Sequence, residues 1–401
     1  SFLTNSPTIV VQSNDIIDVL ENHDAVRFMK QHIMSDLVSL SLQFSGKVTF
    51  NLAVCLQLMD IYRRARLKLP TLAETMIAID KRSYEQCTSE TIAKFKQEFI
   101  KGDTLLDITG GIGVDALYLA KHFNRLVVVE RNKGLHELAQ YNNDKLGIEN
   151  IERHCEDGEN FIIENYDWIY IDPDRRKKDI RSVSLENLEP NVLELIPKLK
   201  KFSSYCYIKL SPLYDIAEAW RQFENASDVY ILSEKGEIKE VGVVLNFTEQ
   251  FEKKTHLVEV TRNFRQTIGQ PFSNITRFYS NEKFENVLLP NSLLLKSRTT
   301  QFFLKNIKAD KHQIYEVYYA NQPKTEGFKT LRILGVTSMA TKSIKKLLKA
   351  NDVNQVNILI KGLREKPLTW HKKLNTRDGG EFYLLLLKSE KSEALLCKFI
   401  S

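Results

Sequence analysis

The residues most able to do chemistry form a glycine-rich turn after a short apolar run. Residues Leu105–Ile108 are typical of a β-strand, Gly111 and Gly113 follow it, and a helical pattern begins at Val114. Backbone amides in such a turn can approach a ligand closely because glycine has no Cβ. The spacing Gly111-x-Gly113-x-x-Ala116 also satisfies the dinucleotide fingerprint, which is a weak signal by itself.

Acidic residues occur where four successive predicted strands end. Asp107 precedes the glycines, where a dinucleotide site needs room for pyrophosphate, so an acid there favours a cationic cofactor. Glu130 ends the next strand, where a carboxylate can accept both ribose hydroxyls of NAD or S-adenosylmethionine. Asp157 is positioned to accept an adenine amino proton, and Asp172 follows the fourth strand. Because ligands gather at the carboxyl ends of parallel strands, these acids predict a nucleotide-cofactor site.

The surrounding pattern predicts an α/β fold between two other regions. Apolar residues recur at helical spacing from Asn14 to about Arg82, and β-rich runs then alternate with helical stretches, which predicts a mostly parallel, doubly wound sheet. The strand 241–247 follows its turn too closely for a helical crossover, so it should pair antiparallel. Beyond Phe251 we expect a smaller α+β region, with an amphipathic helix at 342–349 and a loop carrying Trp370.

Composition limits the function classes. With 43% hydrophobic and 27% charged residues, the 401-residue chain is typical of soluble multidomain proteins. No apolar run approaches the roughly 20 residues that cross a bilayer, so no membrane partner is expected. Five scattered cysteines and an N-terminus without a signal pattern favour the cytoplasm. Eight histidines without a closely spaced pair predict no metal, and the net charge of +6 is compatible with a polyanionic partner.

The whole set of motifs resembles the class I S-adenosylmethionine-dependent methyltransferases, with residues 107–113 as motif I, Glu130 as motif II and Asp172-Pro173 as motif IV. The resemblance implies S-adenosyl-L-methionine as cofactor and a Rossmann-like seven-stranded sheet, mostly parallel, with its last strand antiparallel. One departure is Thr109, which stands where most such loops carry their first glycine. The implied cofactor-binding residues are Thr88, Asp107, Thr109, Gly110, Gly111, Gly113, Asp115, Glu130, Arg131, Asp157, Gly158 and Asp172.

Residues 85–90, 107–115, 172–176 and 208–216 narrow the resemblance to one bacterial methyltransferase family that has a C-terminal THUMP-like domain. That similarity implies RNA methylation, with tRNA or rRNA as partner. It also implies an N-terminal helical domain (1–82), a methyltransferase domain (83–250), a ferredoxin-like α+β region (251–328) and a THUMP-like domain (329–401). The stretch 88–90 resembles the Thr-Pro-Glu element of cap trimethylguanosine synthases, which lies against the cofactor, although Thr88 could equally be a helix N-cap.

The methyl acceptor is expected near Asp172 and Pro173. Asp172 could orient an amine or hydroxyl, Arg175 and Arg176 could bind phosphate, stack on a base or pair with nearby acids, and Lys209 and Ser211 could line the pocket. These six residues are the predicted catalytic set.

The Asp-Pro-x-Arg pattern also resembles RNA 5-methyluridine methyltransferases, but Leu210 stands at the position of their nucleophilic cysteine. Cys206, inside a strand, is expected to be a buried hydrophobe. We therefore predict direct transfer to nitrogen or oxygen. Three rivals stay open: methylation of a small molecule or protein, a catalytically silent RNA-binding module, and a nicotinamide oxidoreductase. Trp370 could stack on an unpaired base or be half-buried.

Overall fold

The computed structural model describes residues 11–175, 185, 188–248, 250–262, 264–270 and 284–401, without the side chain of Arg175. The described chain divides into two compact units. The first holds the residues up to Lys235 together with 239–256 and 260–262, and the second holds 236–238, 257–259 and the residues from Phe264 onward.

The first unit begins with a helical region, as predicted. Side chains at the helix starts accept backbone N–H bonds, as Asn22, Asp36 and Asn51 do, which satisfies donors that a helix leaves unpaired. The helices are α1 (Ser13–Glu21), α2 (His23–His32), α3 (Leu37–Phe44), α4 (Leu52–Lys68), α5 (Pro70–Glu74), α6 (Lys81–Gln86) and α7 (Glu90–Lys96).

Strands and helices then alternate as the apolar pattern predicts. The strands are β1 (Thr104–Asp107), β2 (Arg125–Val129), β3 (Ile151–His154), β4 (Tyr166–Ile171), β5 (Asp174–Arg175), β6 (Leu188–Glu189), β7 (Ser203–Leu210), β8 (Ala226–Glu234), β9 (Glu237–Asn246), β10 (Lys254–Glu259) and β11 (Phe264–Gly269). The helices between them are α8 (Val114–Leu119), α9 (Lys133–Lys145), α10 (Val192–Phe202) and α11 (Ile216–Gln222).

The main sheet has the order β11-β10-β8-β9-β7-β4-β1-β2-β3, while β5 and β6 form a separate two-stranded sheet. Strands β1 to β4 and β7 pair in parallel, and β9 pairs antiparallel with β7, as predicted from its short turn. The prediction of seven strands was wrong in number, since β10 and β11 extend the sheet to nine. Each of these two strands, KTHLVE and FRQTIG, has only two large apolar residues and lacks the apolar run that marks the central strands.

The helical region and the central sheet share one hydrophobic core. It contains residues of α1, α2 and α4, such as Ile16, Met29 and Leu58, together with Leu105 and Val128 of the sheet. At the start of α1, the Ser13 hydroxyl donates to Glu137 on α9 over 2.7 Å. The helices therefore pack directly on the element that follows β2.

The second unit contains one sheet of seven strands, ordered β13-β14-β12-β15-β18-β17-β16. Its elements are β12 (Asn286–Pro290), α12 (Ser292–Ser297), α13 (Thr300–Phe303), β13 (Ala309–Lys311), β14 (Tyr318–Ala320), β15 (Phe328–Ser338), α14 (Thr341–Ala350), β16 (Asn357–Lys361), α15 (Pro367–Leu374), β17 (Phe382–Leu387) and β18 (Glu393–Phe399).

Helices α14 and α15 cover one face of this sheet. Ile344 of α14 and Trp370 of α15 pack with Leu384 and Leu396, whereas Leu385 and Leu395 face a second core. The expectation of a loop at Trp370 was wrong, because the residue lies inside α15 and is only 5% exposed. Its burial removes the ring from contact with an unpaired base, and Pro367 at the first turn starts the helix.

Candidate functional site

A cavity of about 670 Å³ lies at the carboxyl ends of the parallel strands. Four of the acidic residues that line it, Asp107, Glu130, Asp157 and Asp172, each follow or end a different strand of the adjacent set β4-β1-β2-β3. Most residues expected to bind the cofactor or act in transfer line the same cavity. They are Thr88, Asp107, Thr109, Gly110, Gly111, Gly113, Asp115, Glu130, Arg131, Asp157, Gly158, Asp172 and Lys209.

Glycine is required at two points beside the cavity for different reasons. Gly113 has φ +81° and precedes the first residue of α8, a left-handed conformation that disfavours other side chains. A Cβ on Gly158 would lie 2.2 Å from the carbonyl oxygen of Ile108, so only glycine lets these two backbone segments approach. The turn therefore sits tightly between β1 and the segment after β3.

Thr109 has a clear structural use at the position where a glycine is more usual. Its backbone N–H and its hydroxyl both contact Oδ1 of Asp107, at 2.9 and 3.2 Å, and the hydroxyl accepts the backbone N–H of Asp172 over 2.7 Å. One side chain thus connects the acid at the end of β1 to the acid after β4. A glycine there would lose both hydroxyl contacts.

Glu130 is fixed by two backbone donors. Its Oε2 accepts the N–H of Gly111 and its Oε1 accepts the N–H of Asn132, both over 2.7 Å. Each carboxylate oxygen keeps further lone-pair capacity for a hydroxyl group of a ligand. The acid is therefore held in one orientation beside the glycine turn.

Asp107 is nearly fully buried. Burial raises the pKa of Asp107 to about 7, against the opposing effects of the Thr109 hydrogen bonds and of the positive charge of Arg153. A positively charged ligand beside this carboxyl group would favour its ionised form.

Asp172 forms an ion pair with Lys209, whose Nζ lies 2.6 Å from Oδ2 of Asp172. Although burial opposes it, the charge of Asp172, followed by that of Asp115, raises the pKa of Lys209. The ammonium group therefore stays protonated at neutral pH, so Lys209 can donate a hydrogen bond but cannot serve as a base. The pair lies in the cavity wall.

Behind this wall, Lys96 is completely buried between two carboxylates. Its Nζ lies 3.0 Å from Asp115 and 2.8 Å from Glu240, and it donates to the Tyr170 hydroxyl over 2.9 Å. Tyr170 and Thr88 both donate to Oδ2 of Asp115, at 3.0 and 2.6 Å. Burial opposes ionisation of Asp115, but the charges of Lys96 and Lys209 and the Thr88 hydrogen bond hold its pKa below the usual range.

Thr88 is not the N-cap of α7, which was the alternative prediction for this residue. Ser89 caps α7 by accepting the N–H of Ile92, which leaves the Thr88 hydroxyl to bind Asp115. Thr88 and Asp115 thus form one polar contact in the cavity wall.

Several other predicted residues have local roles. Asp157 accepts the backbone N–H of Glu159 over 3.2 Å, and Arg131 bonds to Glu189. Ser211 accepts the N–H of Leu213 over 3.2 Å. Ser211 and Pro173 are not among the described residues that line the cavity. The Arg175 side chain and all of Arg176 lie outside the described residues.

Sequence reasoning missed residues that the fold brings to the site from far away. Arg153 of β3 reaches the glycine turn, Lys96 of α7 reaches Asp115, and Cys87 and Ser13 line the cavity. No motif marks Ser13, Lys96 or Arg153, and Cys87 lies in the stretch 85–90 without any feature that assigns it a role. Each stands among other polar residues, so the sequence carries no signal that separates it from a surface side chain.

Within the described residues, no cluster of three or more histidine, cysteine or acidic side chains could hold a metal ion. Every helix in the described ranges is also too short or too polar to traverse a bilayer.

Residues 328–398 match the family model named THUMP domain-like. The crystal structure of a proposed methyltransferase from Porphyromonas gingivalis W83 is similar to this chain with a TM-score of 0.79 and 21% identity, covering 98% of this chain and 100% of that one. No curated protein matches the sequence.

Two shorter structures also match, both with a TM-score of 0.30, which is too low to support an argument. A proposed methyltransferase from Streptococcus mutans in complex with SAH has 13% identity and covers 40% of this chain and 99% of its own. An rRNA methylase from Streptococcus thermophilus has 16% identity and covers 39% and 95%. As the motifs predicted, the chain has the fold of the proposed methyltransferase from Porphyromonas gingivalis, and its residues 328–398 match the THUMP domain-like model.

Proposed function

We propose that this protein transfers a methyl group from S-adenosylmethionine to a nitrogen or oxygen atom of a structured RNA. The observation that carries the proposal is the set of four carboxylates, Asp107, Glu130, Asp157 and Asp172, that line one cavity around a glycine turn. Acceptor groups of this kind suit a nucleoside that carries ribose hydroxyls, an adenine amino group and positive charge. A dinucleotide with two phosphates fits such an acid-lined cavity less well.

The chain's own residues have distinct tasks toward this cofactor. Glu130, held by two backbone donors, accepts the ribose hydroxyls, and Asp157 accepts the adenine amino group. Asp107 supplies negative charge next to the glycine turn. When bound, the cofactor supplies an electrophilic methyl group on a positively charged sulfur.

At the acceptor end, Lys209 orients Asp172 through their 2.6 Å ion pair. The Asp172 carboxylate would accept a hydrogen bond from the amine or hydroxyl that is methylated, which would direct the acceptor lone pair toward the methyl carbon. The proton that the acceptor loses would pass through this hydrogen bond to solvent, to which the Asp172 side chain is 40% exposed. Asp172 takes no role that requires Lys209 to lose its proton, since the pKa of Lys209 is raised. Positioning of this kind contributes several orders of magnitude to a rate.

A covalent cysteine intermediate is disfavoured by the thiols near the site. Cys206 is fully buried within β7, and burial raises its pKa. Cys87 lines the cavity, but burial raises its pKa as well, so neither thiol readily becomes a nucleophilic thiolate. Direct transfer is the reaction that these residues support.

The distribution of charge along the chain supports an RNA substrate. Residues 341–378, within the THUMP domain-like segment, include ten lysines and arginines and three acids, a net charge of +7 that exceeds the +6 of the whole chain. Lys342, Lys345, Lys346 and Lys349 of α14 are exposed and form no ion pair with a described residue. Clustered cations of this type bind phosphate backbones.

The first experiment is isothermal titration of S-adenosylmethionine, S-adenosylhomocysteine and NAD into the wild-type protein, Asp107→Ala and the control Asp144→Ala. Asp144 is an exposed acid on α9 and does not line the cavity. We expect micromolar binding of the two adenosyl sulfur ligands alone, lost in Asp107→Ala and retained in Asp144→Ala. A tritiated-methyl assay would then compare unmodified cellular RNA with RNA-free extract.

Each other result rejects part of the proposal. Binding of NAD alone would indicate an oxidoreductase, and methylation of the RNA-free extract alone would indicate a small-molecule or protein substrate. No binding of any ligand would reject the enzyme and leave an RNA-binding module.

A further inference from the structure

Arg153 approaches the glycine turn from behind. It stands on β3, and its Nη2 donates to the carbonyl oxygen of Gly111 over 3.3 Å. Its Nη1 lies 3.1 Å from the point that a Cβ on Gly113 would occupy, so the guanidinium packs directly against the turn. Arg153 is not one of the described residues that line the cavity.

Two nitrogen atoms of the Arg153 guanidinium group lack hydrogen-bond acceptors among the described residues. Its Nε and Nη1 are shielded from solvent and have no hydrogen-bond partner among the described residues. Burial lowers the pKa of Arg153 to about 10. Because a buried, incompletely bonded cation is costly, its position requires compensation from nearby negative charge.

Two acids of the candidate cofactor site supply that charge. Asp107 at the end of β1 and Glu130 after β2 both oppose the effect of burial on Arg153, and Arg153 in turn lowers the pKa of Asp107. The other charged groups nearby are Asp172, which raises the pKa of Asp107, and His136 on α9. Burial is the main cause that lowers the pKa of His136, and the positive charges of Arg153 and His154 lower it further. The negative charges of Glu137 and Glu130 oppose this shift.

We propose that Arg153 is a positioning residue that supports the glycine turn from behind and balances the negative charges of Asp107 and Glu130 beside the cofactor cavity. This inference rests on the proposed function, since it assigns the turn and the two acids to cofactor binding. Without the guanidinium, the Gly111 carbonyl loses its donor and the two acids repel each other. Asp107 would then keep its proton to a higher pH, where it attracts a positively charged cofactor less strongly.

The test compares the variants Arg153→Met and Arg153→Lys with the control Arg125→Met. Arg125 is an exposed arginine on β2 that forms ion pairs with Glu152 and Glu164. The dissociation constant of S-adenosylhomocysteine is measured by titration from pH 6 to pH 9. Arg153→Met should weaken binding by about 10-fold at pH 7 and move the midpoint of the pH profile upward. Arg153→Lys should restore the midpoint without the full affinity, and Arg125→Met should match the wild type.

A second readout does not depend on the cofactor. In the ligand-free protein, a folded-state pKa above the unfolded value makes stability fall as pH rises, until the folded-state pKa is passed. In Arg153→Met this fall in melting temperature should extend to higher pH than in the wild type. If the wild type binds no adenosyl ligand, the proposed function fails and this ligand-free profile decides the role of Arg153.

The inference is overturned if Arg153→Met folds with the wild-type dissociation constant and unchanged midpoints in both profiles. If Arg153→Met does not fold, Arg153→Lys decides. Weaker binding with an unchanged midpoint then supports the proposal, and wild-type affinity at every pH rejects it.

Discussion

The cavity of the first unit and helix α14 of the second use charge in opposite ways. In the cavity wall, Asp172 is paired with Lys209 at 2.6 Å, and behind it Lys96 lies between Asp115 and Glu240 without any exposure. The lysines of α14 are exposed and form no ion pair with a described residue. Partners at fixed distances hold a group in one geometry, whereas unpaired surface lysines act through their summed potential.

This difference predicts how replacements will behave. Removing one partner of a buried ion pair leaves an uncompensated charge and should cause a large loss of stability or activity at that site. Removing one exposed lysine should cause a small, salt-dependent loss of RNA affinity, and the losses from several such lysines should add.

The largest effect is expected for Lys96→Met. The change leaves Asp115 and Glu240 buried without their cation, which should lower the free energy of unfolding by about 3–5 kcal/mol. Urea denaturation measures it. Arg27→Met, which removes an exposed arginine paired with the exposed Asp24 on the same helix, should cost less than about 1 kcal/mol. An equal decrease in the free energy of unfolding in the two variants would show that the buried ion pairs of Lys96 contribute no more to stability than a surface pair.

Lys209→Met should slow methyl transfer by about 100-fold in a single-turnover assay, because Asp172 loses the group that orients it. The dissociation constant of S-adenosylhomocysteine should change by no more than about 3-fold, since Lys209 belongs to the acceptor end. Lys200→Met, an exposed lysine on α10, is the matched control. A parallel loss of affinity and rate would move Lys209 to the cofactor end.

The pH dependence of the site should follow Asp107. With a folded-state pKa of about 7, its carboxyl group gains a proton below that pH, so cofactor binding should weaken by up to about 10-fold per pH unit. Asp107→Asn should bind weakly at every pH. Titration calorimetry at pH 6, 7 and 8 tests this, and an unchanged slope in the variant would assign the titration to another group.

Ligand-free stability should move the other way. Because the folded-state pKa of Asp107 is raised, its contribution to stability is present at low pH and is lost as pH rises toward 7. Asp107→Asn should therefore be more stable than the wild type at pH 8, by at most about 4 kcal/mol. Thermal unfolding at pH 5 and pH 8 measures the difference, which should fall to less than half of its pH 8 value at pH 5, where Asp107 of the unfolded chain is already mostly ionised.

The smallest effect is expected on α14. Lys345→Ala combined with Lys346→Ala should weaken binding of a structured RNA by about 3- to 10-fold at 0.1 M salt and reduce the salt slope by about 1 to 2. The control is Lys30→Ala with Lys47→Ala, two exposed lysines of the helical region. An equal loss in the control would mean that RNA binding reflects overall charge instead of this helix.

Local patterns predicted the turn and the acids around it. Asp107 and Gly113 are encoded within a few residues of one strand, one turn and one helix, and the acid at Glu130 follows directly from the end of the next strand. The same reasoning failed where the local signal was weak. β10 and β11 lack an apolar run, and the helix around Trp370 has one turn of lysine and histidine that is typical of an exposed loop.

The sequence by itself determined the order of strands and helices and the place of the acids, because strand and helix periodicity and turn chemistry act over a few residues. Tertiary structure alone decided that Lys96 faces Asp115 and Glu240, and that Arg153 reaches Gly111. These contacts join residues 19 to 144 positions apart, and their geometry exists only after the sheet has brought its strand ends together.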